Sequence, residues 1–221
     1  MTSEPILDYV LPELVKTAGQ ARSFIKCPHT GVPCPSVYPS CGAQDPSRPL
    51  IQIWSAGCGT GLETYLLAIL IREALGEHPH SPNISVIGTD PEEARIAAAR
   101  EGVYAKEEVD QIGKVPLDRY FFRGGTDYRV NEAIGALVRF QTHSLLSGPP
   151  FGSVDLAICQ NTLVRLAPSD QERASRSLYR ALRWDGFLLL GEGEVLVGDT
   201  TRWLRPMDGE HLVYQKQRSL R

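Results

Sequence analysis

Residues 51–62, Ile-Gln-Ile-Trp-Ser-Ala-Gly-Cys-Gly-Thr-Gly-Leu, constrain the fold more than any other stretch of the chain. Ile51-Gln52-Ile53-Trp54 has the length and apolar character of a buried strand. From Leu62 to Leu75, the residues Leu62, Tyr65, Leu66, Ile69 and Leu70 recur at the i, i+3, i+4 spacing of a helix with one buried face. Gly76 follows as a C-terminal cap. Between strand and helix stand Gly57, Gly59 and Gly61, which permit positive φ and close backbone approach. A strand that feeds a helix through so short a loop is a βα unit, and such units build a parallel sheet covered by helices.

The same alternation continues downstream. Ile84 to Thr89 reads as the second strand, and Asp90-Pro91-Glu92-Glu93 as a helix start, with Asp90 as cap, Pro91 in the first turn and Glu93 completing a capping-box-like pair. Gly102 to Gly125 reads as a helical excursion, after which Tyr128–Val130 and Leu137–Phe140 are expected to pair as strands. A strand at Val154–Cys159, a helix at Ser169–Arg183 and a strand at Gly186–Leu190 follow. Trp203–Arg205 and His211–Tyr214 form an expected terminal hairpin. The predicted architecture is α/β and Rossmann-like, with a mainly parallel sheet.

Upstream, Ile6–Ala18 has amphipathic helical spacing. Cys27 to Pro49 holds six prolines, two glycines and three cysteines in 23 residues, which excludes a regular helix or central strand. Cys27, His29, Cys34 and Cys41 offer soft ligands there, but their spacing matches no common zinc motif, so no metal is expected. Two segments are therefore predicted: residues 1–49 as a short helix plus linker, and residues 50–221 as the folded domain.

Net charge is −3, which gives no electrostatic footprint for nucleic acid. The longest apolar run, Leu66 to Ile71, is too short to span a bilayer, and the polar first residues do not read as a signal peptide. Five cysteines, an odd number, point to a reducing, cytoplasmic setting. Cys58 and Cys159 read as small buried residues at strand ends.

A glycine loop at the carboxyl end of a strand is where open α/β sheets take nucleotide-like ligands. Here the spacing is G-x-G-x-G, one residue shorter than the dinucleotide fingerprint. That shorter loop is usual for S-adenosylmethionine, which has no pyrophosphate to seat on the helix terminus. A tight turn without ligand is the other reading of the glycines. Asp90 closes the second strand, where a carboxylate can accept both ribose hydroxyls or simply cap the helix.

Taken together, these segments resemble the chemotaxis receptor methyltransferases of the CheR type. The run from Ile53 to Tyr65 is similar to that family's "WSAGCSTGEEPYS". Gly88-Thr89-Asp90, Gly102-Val103-Tyr104, Arg119-Tyr120-Phe121, Cys159-Gln160-Asn161 and Leu188–Gly191 follow in the family's order. Ser55 stands where most class I methyltransferases carry an acid, a trait this family shares. The resemblance implies S-adenosylmethionine as cofactor, S-adenosylhomocysteine as product, and a glutamyl side chain of a chemoreceptor's cytoplasmic segment or related signalling protein as acceptor. It implies cofactor contacts for Gly57, Gly59, Gly61, Glu63, Asp90, Ser144, Leu145, Gln160 and Asn161, and a small β-subdomain inserted at about residues 102–140. Glu63 has a plainer reading as an acid favoured at a helix start.

Departures gather around the acceptor. The family's amino-terminal "NETYFFR" would fall at Gln20–Lys26, with Lys26 in place of arginine. Its "RNxxIYF" becomes Gln160–Leu166, with Arg165 in place of tyrosine, and "GHSEN" becomes Gly191–Val195. Arg165 and Lys26 are the candidates beside the acceptor. A guanidinium can hold a carboxylate bidentately, although Arg165 also reads as a surface residue before a helix. Methyl transfer to a carboxylate needs no base or metal, because the nucleophile is ionised near neutral pH. A binding module that keeps the cofactor pocket without catalysis is the alternative, and a methyltransferase with another acceptor is a second.

Overall fold

The computed structural model describes residues 50–75, 83–110, 117–207 and 212–217. The expectations for Ile6–Ala18, Lys26, Cys27, His29, Cys34, Cys41 and Gly76 lie outside these residues.

Strands β1 (Leu50–Ala56), β2 (Asn83–Asp90), β6 (Val138–Thr142), β7 (Val154–Cys159), β8 (Leu182–Leu190), β9 (Leu204–Pro206) and β10 (Val213–Lys216) form one sheet. Its order is β6-β2-β1-β7-β8-β10-β9. The first five run parallel, while β10 is antiparallel to both β8 and β9. The strand order reverses beside β1, with β2 on one side and β7 on the other, so a crevice opens at the carboxyl ends of these strands.

Helices cover both faces. Alternate residues of β1 serve opposite sides, as pleating requires. Ile51 and Ile53 join a core with α1 (Leu62–Leu75) and α2 (Glu93–Glu101), through Tyr65, Ile69, Ile96 and Phe140. Trp54 and Ala56 join a second core with α6 (Pro168–Ala181), through Ala157, Leu178 and Leu188. Trp54 is fully buried, and its indole N–H donates to Thr89 Oγ1 at 2.9 Å, which removes the cost of hiding that polar group.

Between α2 and β6 lies a second sheet, β3-β5-β4, made of Val103–Ala105, Asp127–Val130 and Phe121–Gly124. Short helices α3 (Lys106–Val109), α4 (Leu117–Tyr120) and α5 (Glu132–Gly135) surround it, and α7 (Thr200–Trp203) precedes β9.

Several sequence expectations need correction. The stretch 102–125 is not simply helical, since β3 and β4 lie within it. Residues 128–130 do not pair with 137–140: β5 pairs with β3 and β4, and β6 pairs with β2. Both segments have strand character, and only tertiary placement assigns them to different sheets. The buried face of α1 is Thr64, Tyr65, Leu67, Ala68, Ile69 and Ile71, with Leu62, Leu66 and Leu70 only partly covered. This helix is apolar nearly all round, so periodicity does not select a face. Finally, α2 begins at Glu93 with Glu92 as N-cap, and no side chain caps it. Asp90 Oδ1 instead accepts the Glu92 N–H at 3.0 Å, two residues on.

Candidate functional site

The carboxyl ends of β1, β2, β6, β7 and β8 meet along one rim of the sheet. Nearly every candidate residue lies on that rim, because the sheet topology brings those strand ends together.

Past β1 the chain turns sharply. Gly57 and Cys58 both donate their N–H to Thr89 O, at 2.7 and 2.9 Å, and Gly61 donates to Cys58 O at 2.9 Å. Gly57, Gly59 and Gly61 have φ of +74°, +54° and +85°. Two of these glycines also answer to packing. A Cβ on Gly57 would stand 2.1 Å from Thr162 Oγ1, and one on Gly61 would stand 2.7 Å from both Ala99 Cβ and the Phe140 ring. Gly59 differs, since a Cβ there would meet nothing within 4 Å. Its backbone faces open space at the rim.

Asp90 is buried at the end of β2. Its Oδ2 accepts the Gly59 N–H at 3.1 Å, and Arg95 Nη1 lies 3.9 Å from the same oxygen. Each carboxylate oxygen keeps a lone pair for another donor. The main chain of Asp90 also accepts His143 N–H at 3.0 Å, which sets the 143–145 segment beside it. There Ser144 Oγ accepts Leu146 N–H at 3.3 Å, and Leu145 is buried.

Ser55 and Thr64 are buried, and the Thr64 hydroxyl donates to Ser55 Oγ at 3.0 Å across the strand–helix junction. Glu63, one residue before, is exposed. Partial loss of hydration at its carboxylate, followed by the Glu194 charge, pushes its pKa above the usual glutamate range. Burial raises the Cys58 thiol to about 12 and the Cys159 thiol further, so neither is a nucleophile near neutral pH.

At the end of β7, Gln160 leads into Asn161, which has a left-handed φ of +54° and is exposed. Thr162 then packs on Gly57, and its hydroxyl donates to Gln160 O at 3.1 Å. Arg165 ends a short 3-10 turn, Leu163–Arg165, where it is exposed and makes no ion pair with a described residue.

One rim residue was not among the expected contacts. Glu194 is 3% exposed, and its carboxylate accepts N–H groups from Thr162 and Leu163, both at 2.7 Å, and from Gly191 at 2.9 Å. The sequence signal was present: Glu194 matches the acid of "GHSEN" in an otherwise altered segment.

Positive-φ glycines, an open approach at Gly59 and a buried strand-end carboxylate together make the crevice in which α/β domains of this topology take nucleotide-like ligands, and its backbone amides and carboxylate oxygens fit the polar groups of such a ligand. Residues 36–213 match the family described as "CheR methyltransferase, SAM binding domain", and the chain belongs to that family. Its cofactor is S-adenosylmethionine.

The chain is 33% identical over 157 residues to chemotaxis protein methyltransferase 2 of Pseudomonas aeruginosa, across 68% of this chain and 55% of that one. It is 37% identical over 147 residues to an uncharacterised 104.1 kDa protein of Rhodobacter capsulatus, across 66% of this chain and 15% of that protein. It thus spans about half the length of the chemotaxis methyltransferase. Among solved structures, a TehB-like SAM-dependent methyltransferase from Corynebacterium glutamicum aligns with a TM-score of 0.42 at 18% identity, across 75% of this chain and 78% of that one. No helix among the described residues is long and apolar enough to cross a membrane. Nor do the described residues hold a group of His, Cys, Asp and Glu side chains suited to a metal ion.

Proposed function

We propose that the chain is an S-adenosylmethionine-dependent O-methyltransferase acting on glutamyl side chains of a chemoreceptor's cytoplasmic segment or a related signalling protein, in the cytoplasm. The cofactor half of the reading rests on one observation, that the open Gly59 backbone is tied to the buried Asp90 carboxylate by a 3.1 Å hydrogen bond, and the acceptor half rests on membership of the CheR family. Residues 50–221 form the cofactor-binding domain, with the insert at about 102–140.

When bound, the cofactor supplies a methyl group activated by its sulfonium. The protein's part is positioning and exclusion of water. Gly57, Gly59 and Gly61 let the backbone come close, and Asp90 accepts ribose hydroxyls. Glu63, Ser144, Leu145, Gln160 and Asn161 complete the cofactor contacts. Arg165 holds the incoming carboxylate, which arrives ionised and needs no base, and Lys26 is a second cation for that role.

A second reading, a binding module without catalysis, is favoured by Arg165 standing where the family has tyrosine. A guanidinium that grips the ground-state carboxylate as tightly as the transition state gains no rate.

Incubation with methyl-labelled cofactor and a bacterial membrane fraction separates the readings. Base-labile label on a receptor, lost or weakened about tenfold in kcat/KM by Arg165→Ala at unchanged S-adenosylhomocysteine affinity, supports the enzyme. Base-stable label points to another acceptor. Tight binding with no label supports the module.

A further inference from the structure

The turn that carries Asn161 is held from outside itself. Asn161 sits at φ +54°, a region that asparagine enters more readily than other non-glycine residues. The next two amides, of Thr162 and Leu163, both point at Glu194 Oε1 at 2.7 Å. Oε2 takes the Gly191 amide at 2.9 Å, at the end of the neighbouring strand β8. Gly191 N–H is shared with Cys159 O at 3.1 Å, so the ends of β7 and β8 are bound to each other and to the same carboxylate. Glycine at 191 is what admits that carboxylate, because a Cβ there would lie 2.9 Å from Oε2 and 3.2 Å from the Asn161 nitrogen. Three amide donors satisfy a charge that would be costly to bury alone.

We infer that Glu194 is a positioning residue for the cofactor site: its carboxylate holds the 160–163 turn in the left-handed form that presents Asn161 at the rim and packs Thr162 on Gly57. The inference rests on the reading in which Asn161 contacts the cofactor. Glu194 acts through the turn, and its negative charge is not itself the recognition element.

Calorimetry with S-adenosylhomocysteine on the full chain tests this with Asn161→Ala, Glu194→Ala, Glu194→Gln and the Asn161→Ala/Glu194→Ala double variant. Glu194→Ala is expected to weaken binding about tenfold, as Asn161→Ala does, and the double variant to be no weaker than the worse single one. Glu194→Gln keeps an oxygen for the Thr162 and Leu163 amides but turns its NH2 towards the Gly191 N–H, which retains only Cys159 O, so it recovers part of the affinity. Additive losses in the double variant overturn the inference, as does wild-type affinity in Glu194→Ala. A folded Glu194→Gln as weak as Glu194→Ala also overturns it, because the oxygen kept on the Thr162 and Leu163 amides would then have no effect on binding. If Glu194→Ala fails to fold, the comparison runs on Glu194→Gln and Asn161→Ala/Glu194→Gln. Amide exchange is the independent readout: Thr162 and Leu163 are expected to be protected in the wild type and in Glu194→Gln. Rapid exchange of these amides in the wild type sinks the inference whether or not ligand binds. Absence of binding by a wild type with protected amides counts against the cofactor reading alone.

Discussion

The Gly59 amide donates to the Asp90 carboxylate across 3.1 Å, linking the open middle of the glycine loop to the end of the adjacent strand β2. Asp90 thus serves the fold and the rim together. Its two oxygens accept two backbone amides, from Gly59 and Glu92, and a ribose would use lone pairs that remain.

Replacing Asp90 should therefore show in both stability and binding. Asp90→Ala strands two amide donors, at about 1–3 kcal/mol for each that stays buried. S-adenosylhomocysteine affinity is expected to fall at least about tenfold by calorimetry. Asp90→Asn keeps one good acceptor and should fall between the two. Unchanged affinity in Asp90→Ala removes the residue from the site.

The three loop glycines are expected to separate into two kinds. Alanine at Gly57 or Gly61 forces a Cβ into the 2.1 or 2.7 Å contacts described above and adds the left-handed φ cost. Each should lose about 2–4 kcal/mol in denaturant unfolding. Alanine at Gly59 meets open space and should lose only about 1–2 kcal/mol. Its effect should fall instead on ligand binding, where the new methyl narrows the approach. Equal destabilisation at all three positions, with binding intact in Gly59→Ala, contradicts this division.

How far this site was legible follows from where the information lies. Strand β7 was read at its true bounds and α1 likewise, because each is a dense apolar run with clear breaks. The loop and Asp90 were readable as types because glycine spacing and strand-end acids have local reasons, whereas Asn161 came only from the resemblance to the methyltransferase family. Glu194 was passed over because its role depends on the Thr162 and Leu163 amides, 32 and 31 positions away in the chain, and nothing local in Gly191–Val195 reveals them. The pairing of β5 and β6 was misread for the same reason, since partner choice is a property of the whole sheet. The Asp90-Pro91-Glu92-Glu93 pattern reads as a helix start capped by Asp90, but the helix begins two residues later than such a cap requires.

Glu63 should give the site a pH dependence. Although the residue is exposed, protein atoms around its carboxylate strip part of its hydration, and this desolvation, together with the Glu194 charge, disfavours the ionised form and raises its pKa above the ordinary glutamate value. A cationic ligand group needs that ionised form, so cofactor affinity should fall as pH drops through the raised pKa, in a window above about 4.3. The unliganded fold has the opposite sign: the strain of ionising Glu63 is absent at low pH and grows as pH rises through the ordinary and then the raised value. Glu63→Gln should therefore raise the melting temperature slightly near neutral pH, while weakening binding about tenfold and flattening its pH profile. Isothermal titrations from pH 5 to 8 check the slope. A profile that Glu63→Gln leaves unchanged means that Glu63 does not contact the ligand.

The small sheet also bears on the loop, through Tyr104. Its hydroxyl donates to Thr60 O at 2.8 Å, and its ring meets Tyr65 edge-on at 6.3 Å between centroids. Burial pushes the phenol pKa far up, so this donor stays protonated at any pH the protein would meet. Tyr104→Phe keeps the ring packing and removes one hydrogen bond, at a cost of about 1 kcal/mol in unfolding free energy. Thr60 O lies between Gly59 and Gly61, so the loss should loosen the loop more than the sheet. S-adenosylhomocysteine should then dissociate faster by a few-fold, measured by stopped flow, with little change in association rate. Because the donor does not titrate, the difference between Tyr104→Phe and wild type should be constant from pH 6 to 9. A difference that varies with pH across this range would mean that a group other than the Tyr104 hydroxyl links the small sheet to the glycine loop.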